Sequence, residues 1–122
     1  MACLILLCFI LLPIGNSESG EQAVEKTIQE QIADTFPDAP VMLRVAYCES
    51  KYRQFNPDGS VHRGEINPKD TGVFMINERF HLAEAQRLGF DIYSTAGNIS
   101  YARYLYNLQG TKPWDWSKHC WA

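Results

Sequence analysis

The sequence contains no cluster of basic residues. Proteins that bind nucleic acid typically have such a cluster. Its 11 Lys and Arg residues are outnumbered by 14 Asp and Glu residues, giving a net charge of −3 at pH 7. We therefore expect no nucleic-acid partner and no long-range attraction to an anionic polymer. Internal repeats, low-complexity segments and heptads are also absent from the sequence, which argues against solenoid and coiled-coil architectures.

Metal ligands are sparse as well. The three histidines, His62, His81 and His119, are scattered along the chain without the spacing of a metal site. We therefore expect no metal and no other cofactor. At 122 residues the chain is long enough for one domain, and we expect a monomer.

The only long apolar run lies at the start of the chain, over residues 1–14. It is shorter than the about 20 residues that a membrane-spanning helix needs. Small residues follow at positions 15–17, which is typical of a cleaved secretory signal. We therefore predict a signal peptide over residues 1–17 and a secreted or extracytoplasmic protein of the cell envelope. Because no Lys or Arg precedes the apolar run, an uncleaved anchor remains an alternative.

Only two of the four cysteines lie outside this leader. Cys48 and Cys120 would close a loop of about 70 residues, and a disulfide between them suits an exported domain. The alternative is a pair of free buried thiols.

The remaining chain predicts helices separated by proline- and glycine-rich turns. An N-terminal helix and linker occupy residues 18–40, with the helix over 21–36 and a capping box formed by Ser19 and Gln22. A second helix covers residues 41–50. A polar connection over 53–71 could contain two short strands, near 60–62 and 64–66. Residues 72–77 are expected to begin the next helical element, followed by helices over 81–88 and 94–109.

Glu49 is the first candidate for chemistry. It lies four residues after Val45, on or beside an apolar helical stripe, and close to the negative end of the helix. Both surroundings disfavour a charged carboxylate, so we expect a raised pKa and a side chain able to donate a proton near neutral pH. The alternative is a solvated or ion-paired surface glutamate.

Three segments in order resemble the lysozyme-like superfamily, and soluble lytic transglycosylase catalytic domains in particular. They are residues 48–50 (CES), 70–77 (DTGVFMIN) and 98–105 (NISYARYL). That family has a Glu-Ser pair, a Gly-Leu-Met-Gln-Ile-Asn segment and an Asn-Ile-x-x-Gly-x-x-Tyr-Leu helix. The resemblance implies a mainly α (α+β) lysozyme-like fold, with a catalytic domain over 41–122 and a loop or short hairpin beside the active-site cleft. It also implies cleavage of β-1,4 bonds in peptidoglycan glycan strands.

The same resemblance assigns roles to individual residues. Glu49 matches the family's catalytic acid and base. The candidate substrate contacts, taken from the motifs or from positions three residues after them, are Ser50, Tyr52, Met75, Asn77, Asn98 and Tyr101. Two residues depart from the family pattern: Met75 stands where a substrate-contacting Gln is usual, and Ala102 replaces a Gly.

A hydrolase usually adds a second carboxylate. Asp58, Glu65 and Asp70 are candidates, and we favour Asp70 as the second catalytic residue. If none of them reaches the sugar, Glu49 could act first as acid and then as base, and the family's internal attack would leave a 1,6-anhydro end.

Several aromatic and basic residues have two interpretations. Trp114, Trp116 and Trp121 could stack on sugar, although closing the core is favoured. Arg53 and Arg63 could hold acidic or acetyl groups of a glycan, or be solvated. An inactive glycan-binding module is the main alternative function, and a secreted helical interaction domain is a third.

Overall fold

The computed structural model describes residues 24–122. The predicted signal peptide and the predicted capping pair Ser19 and Gln22 lie outside the described residues. Within them, the fold is mainly α with one small sheet, which confirms the predicted class. The elements in chain order are α1 (Ile28–Thr35), α2 (Val41–Ser50), β1 (Asp70–Thr71), β2 (Ile76–Asn77), α3 (Glu78–Leu88), α4 (Thr95–Gln109), a 3-10 helix (Lys112–Ser117) and α5 (Lys118–Trp121).

Helix α1 begins later than predicted, at Ile28 rather than near residue 21. Its N-cap is Thr27, whose hydroxyl accepts the backbone N–H of Glu30 at 3.1 Å. The Glu30 carboxylate accepts the N–H of Thr27 in return at 3.4 Å, completing a capping box. The Thr-x-x-Glu pattern therefore starts this helix, and residues 24–27 precede it without regular structure.

The N-terminal helix packs into the same core as the rest of the described chain. Ile32, Phe36 and Ala39 are buried in one apolar cluster with side chains from α2, α4 and the C-terminal residues. The guanidinium of Arg103 on α4 also pairs with the Asp38 carboxylate. Helix α1 and the linker after it therefore share one core with the rest of the described chain.

The strands lie elsewhere than predicted. β1 and β2 pair antiparallel, Asp70 with Asn77 and Thr71 with Ile76. The predicted strand near residues 60–62 contributes one isolated bridge, between Val61 and Phe55, and the one near 64–66 contributes none. Arg63, which lies between them, forms a second isolated bridge with Thr71. The long connection is therefore ordered by turns and single bridges rather than by strands of its own.

The apolar segment 72–77 is a turn and a strand, so the prediction that it begins a helix is wrong. Met75 has a φ of 47°, which a continuous right-handed helix excludes. The next helix starts at Glu78 because Asn77 caps it, with its side-chain oxygen accepting the N–H of Phe80 at 3.3 Å. The predicted α4 is confirmed, with Ser94 as its N-cap and Gly110 at its C-terminus.

Two buried amide side chains hold the β1–β2 turn. Asn98 on α4 accepts the N–H of Phe74 and donates to the carbonyls of Thr71 and Ile92, each at 2.9 Å. Gln54 accepts the N–H of Val73 at 2.9 Å. These bonds satisfy backbone groups that the turn would otherwise bury unpaired.

Gly72 lets these amides approach the turn. Its φ is +74°, and a Cβ at this position would lie 2.4 Å from both the Asn98 and the Gln54 side-chain amides. A larger residue would therefore push both amides away and add backbone strain.

The predicted disulfide is confirmed. The Cys48 and Cys120 sulfurs are bonded, with Cα atoms 6.0 Å apart and a sequence separation of 72 residues. In the chain-entropy treatment, a closed loop of this length contributes about 4 kcal/mol to stability. The bond joins the end of α2 to α5, so it fixes the C-terminal residues against the helix that carries Glu49. Among the described residues, no helix has the length and apolar character needed to cross a bilayer.

Replacing Asn98 with Ala should lower the free energy of unfolding by about 2–4 kcal/mol, because the Phe74 N–H and the Thr71 carbonyl lose this buried partner and the Ile92 carbonyl keeps only Gln54. Urea unfolding of both proteins measures this difference. Asn107→Ala, at an exposed position of the same helix, is the matched control and should change stability by less than about 0.5 kcal/mol. Equal losses in the two variants would contradict the structural role of Asn98.

Candidate active site

Glu49 occupies the last turn of α2. Met42, Val45 and Ala46 bury one side of this helix, and the four-residue step from Val45 brings Glu49 beside that side. The helix ends at the next residue, Ser50, because Lys51 adopts the left-handed conformation, with φ of 53°. The carboxyl group is thus half-buried at a helix end, the position expected from the sequence.

The surroundings of Glu49 favour its neutral form. Burial raises the pKa of the Glu49 carboxyl above its ordinary value. The Ser117 hydroxyl donates to Oε1 of Glu49 at 2.6 Å and opposes this increase, because the bond favours the carboxylate. The negative charge of Asp70 raises the pKa further. The net effect is a raised pKa, so Glu49 keeps its proton to a higher pH than an exposed glutamate does.

A cleft of about 480 Å³ lies beside Glu49, within the range of small-ligand sites. It is lined by the end of α2, by the connection over residues 62–67, by the hairpin residues Asp70 and Met75, and by Trp116. The carboxylates that line it are Glu49, Glu65 and Asp70. Two of the three candidates for a second carboxylate are therefore in the same cleft as Glu49.

The third candidate, Asp58, does not line this cleft. Its carboxylate accepts the N–H and the hydroxyl of Ser60 at 2.9 and 2.6 Å, which lowers the pKa of Asp58. These bonds account for Asp58 as a turn residue.

Asp70 has a fixed position in the cleft. It pairs with Asn77 across the two-stranded sheet, and its Oδ1 accepts the Asn77 side-chain N–H at 2.8 Å. Asn77 is in turn fixed as the N-cap of α3. Glu65, by contrast, is exposed. Asp70 is therefore the more firmly held of the two carboxylates.

The predicted substrate contacts divide into three groups. Ser50 and Met75 line the cleft, although Ser50 is almost fully buried. Tyr52 and Asn77 are half-buried and lie outside the cleft lining. Tyr52 packs instead on Tyr47, with ring centroids 5.5 Å apart.

The prediction that Asn98 and Tyr101 contact a substrate is wrong, because both are core residues that a substrate cannot reach. Asn98 is 0% exposed and uses its amide to hold the hairpin turn. Tyr101 is 1% exposed, and its hydroxyl lies 3.0 Å from Nδ1 of His81. Burial raises the pKa of Tyr101 to about 12. The pattern of residues 98–105 therefore reflects packing of α4 rather than contact with a ligand.

The three tryptophans have different environments. Trp114 and Trp121 are buried, as favoured from the sequence, and their indole N–H groups donate to backbone carbonyls. Trp116 is 88% exposed and lines the cleft, so the prediction that it closes the core is wrong. The alternation of residues 114–116 (Trp-Asp-Trp) indicates that one ring faces inward and the other outward. The sequence does not show which of the two rings is the buried one.

The cleft also contains basic groups. Lys51, Arg53, His62 and Arg63 line it. Arg63 is paired with Glu78 on α3 at 2.7 Å. Within residues 24–122, Lys51 and Arg53 form no salt bridge. Two cations on the cleft are therefore available to an anionic group of a ligand.

Backbone strain is concentrated at this site. Among the described residues, three non-glycine residues have positive φ: Lys51 at 53°, Tyr52 at 61° and Met75 at 47°. Lys51 and Met75 line the cleft, and Tyr52 follows Lys51 directly. Such conformations cost about 1–3 kcal/mol each and cluster at functional sites. The strain makes this cleft a candidate functional site.

Comparison with protein-family models, curated proteins and solved structures found no match to this chain. The geometry described above therefore carries the functional argument, together with the sequence resemblance.

Replacing Glu49 with Gln should stabilise the fold at neutral pH. Because the folded-state pKa of Glu49 is raised, ionisation costs more free energy in the folded state than in the unfolded state. This penalty is absent below the unfolded-state pKa, grows as pH rises through the folded-state pKa, and stays constant above it. Urea unfolding between about pH 3.5 and 8 should therefore show a growing advantage of the variant.

The test is how the difference in unfolding free energy between Glu49→Gln and wild type changes with pH. Its absolute size is not the test, because the altered bond to Ser117 adds a contribution that does not depend on pH. Glu25→Gln, on the exposed chain before α1, is the control and should show no such trend. A stability difference between Glu49→Gln and wild type that is independent of pH would contradict the raised pKa.

Proposed function

We propose that the protein cleaves β-1,4 glycosidic bonds of peptidoglycan, with Glu49 as the general acid. The observation that carries this proposal is a half-buried carboxyl group with a raised pKa beside a cleft large enough for sugar rings. A protonated carboxyl is what the leaving oxygen of a glycosidic bond requires. The resemblance of the segments around Glu49, Asp70 and Asn98 to lytic transglycosylases supports the same reaction.

In the proposed reaction, Glu49 transfers its proton to the bridging oxygen while the bond from that oxygen to C1 breaks. Positive charge then develops on the sugar ring, and the Asp70 carboxylate can stabilise it. Glu49 is now a carboxylate and can take a proton from the group that attacks C1. Attack by water gives a reducing end, whereas attack by the muramic 6-hydroxyl gives a 1,6-anhydro end.

The exposure of Trp116 on the cleft favours a carbohydrate as the ligand. An indole that is 88% exposed at a cleft rim loses hydrophobic stabilisation unless a ligand covers it. Ile66, which is 90% exposed, and Met75 line the same cleft. The apolar faces of sugar rings suit such a surface, and the nearby polar groups suit their hydroxyls.

The unpaired cations support an acidic glycan. Lys51 and Arg53 place two cations, without a salt bridge among the described residues, on the cleft of a chain that is net negative. Peptidoglycan strands carry carboxylates on their peptide side chains, and these could bind the two cations. The Cys48–Cys120 disulfide supports an oxidising, extracytoplasmic location, where that polymer is found.

Replacing Glu49 with Gln should reduce cleavage by about 10²–10⁴-fold, the usual contribution of a general acid. The measurement is release of soluble muropeptides from purified peptidoglycan by the wild-type protein and the variant. Mass spectrometry of the released ends distinguishes hydrolysis from internal attack. Glu25→Gln should leave the rate unchanged.

Two results would overturn this proposal. Equal cleavage by the wild type and Glu49→Gln would remove Glu49 from the mechanism. Binding to peptidoglycan without release by the wild type would instead support the inactive glycan-binding module.

Replacing Trp116 with Ala should weaken glycan binding by about 1–2 kcal/mol, or about tenfold in KM, because one face of the indole no longer covers a sugar ring. Cleavage rates over a range of peptidoglycan concentrations measure KM and kcat separately. Phe80→Ala, which removes an exposed aromatic ring outside the cleft, is the control. An unchanged KM in Trp116→Ala would exclude stacking on this ring.

A further inference from the structure

Ser117 is the only described residue that forms a hydrogen bond with the Glu49 side chain. It is the last residue of the 3-10 helix and lies 68 positions from Glu49 in sequence. Its hydroxyl donates to Oε1 at 2.6 Å, the short distance typical of a bond between a hydroxyl and a carboxylate. Ser117 does not itself line the cleft.

The Ser117 hydroxyl is itself oriented by two buried tryptophans. The single indole N–H of Trp121 is shared between the Trp114 carbonyl, at 3.2 Å, and Oγ of Ser117, at 3.1 Å. The carbonyl of Trp114 lies 3.2 Å from the same oxygen and is the alternative acceptor for the hydroxyl proton. A hydroxyl has one proton and two lone pairs, so Trp121 occupies a lone pair and leaves the proton for Glu49 or Trp114.

We propose that Ser117 is a positioning residue that fixes the Glu49 carboxyl and directs its acidic proton to Oε2. When Ser117 donates to Oε1, a proton on Oε1 would face the donor and force the hydroxyl to turn to Trp114. A proton on Oε2 leaves the Ser117 bond intact. Within residues 24–122, Oε2 has no hydrogen-bond partner, so it is the oxygen free to protonate a substrate in the cleft. This inference rests on the proposed function.

A purely structural role for Ser117 predicts different behaviour. The disulfide from Cys48, the residue before Glu49, already fixes the C-terminal residues to α2. Trp114 and Trp121 add buried contacts to the same joint. Loss of one hydroxyl should therefore leave the fold intact while changing the titration of Glu49.

The other charged groups near Glu49 act independently of Ser117. Asp70 on β1 raises the pKa of Glu49. The remaining charged or titratable groups lining the cleft are Lys51, Arg53, His62, Arg63 and Glu65. On the C-terminal residues, Asp115, Lys118 and His119 are exposed. None of these groups is altered by a substitution at Ser117.

The test compares Ser117→Ala and Ser117→Thr with the wild type. NMR titration of the Glu49 carboxyl carbon should show a higher pKa in Ser117→Ala than in the wild type, because the bond that favours the carboxylate is lost. In Ser117→Thr, which keeps a hydroxyl, the pKa of Glu49 should be close to that of the wild type. Peptidoglycan cleavage by Ser117→Ala should show kcat reduced about tenfold or more with little change in KM. The alkaline limb of its pH profile should move to higher pH, because Glu49 remains protonated longer.

Further variants keep the result interpretable. Trp121→Phe removes the N–H donor but keeps an aromatic ring, and should raise the pKa of Glu49 less than Ser117→Ala does. Ser100→Ala on α4 is the matched control and should leave both the pKa and the rate unchanged. Thermal unfolding of each variant verifies folding.

The outcomes separate this inference from the proposed function. An unchanged Glu49 pKa and an unchanged kcat in a folded Ser117→Ala variant would overturn the positioning role, whatever the substrate. Absence of peptidoglycan cleavage by the wild type would overturn the proposed function. The NMR titration would still test whether Ser117 sets the protonation of Glu49.

Discussion

The joint between the end of α2 and the C-terminal residues is the constraint on which the site depends. The Cys48–Cys120 disulfide closes it covalently. The Ser117 hydroxyl donates to Glu49, the residue that follows Cys48. This joint partly removes the carboxyl group from water without pairing it with a cation. A carboxylate in that environment is costly, so the pKa of Glu49 lies above its ordinary value. In the proposed function, the feature that lowers stability at neutral pH would also supply the acid.

The other side of the cleft is held rigid by uncharged groups. The Gln54 and Asn98 amides hold the backbone of the β1–β2 turn, which places Asp70 and Met75 on the cleft. Their bonds to the turn are internal and buried, so the turn cannot relax without leaving polar groups unsatisfied. The positive φ of Met75 is maintained at this turn. Rigid positioning of this kind is what catalysis by proton transfer requires, because the acid and its substrate must meet within hydrogen-bond distance.

Local patterns were sufficient to predict the parts of this fold that local interactions determine. The bounds of α2 and α4, the disulfide and the half-buried position of Glu49 follow from helical periodicity, caps and cysteine placement. The hairpin was missed because residues 72–77 are apolar like a helix. Their conformation depends on Asn98 and Gln54, which are distant in sequence. For the same reason Asn98 was interpreted as a substrate contact, although it serves the core.

The remaining features of the site arise from tertiary contacts. Nothing in the sequence indicates that Ser117 should meet Glu49, since 68 residues separate them and a lone serine carries no periodic signal. Trp116 differs from Trp114 only in which way the 3-10 helix turns each ring.

The most direct test is a crystal structure of the Glu49→Gln variant with a bound peptidoglycan fragment that spans a β-1,4 bond. The account predicts that the bridging oxygen lies about 2.6–3.2 Å from the side chain of residue 49, with a sugar ring covering Trp116. A fragment bound elsewhere on the protein, or one whose bridging oxygen lies beyond reach of residue 49, would contradict it.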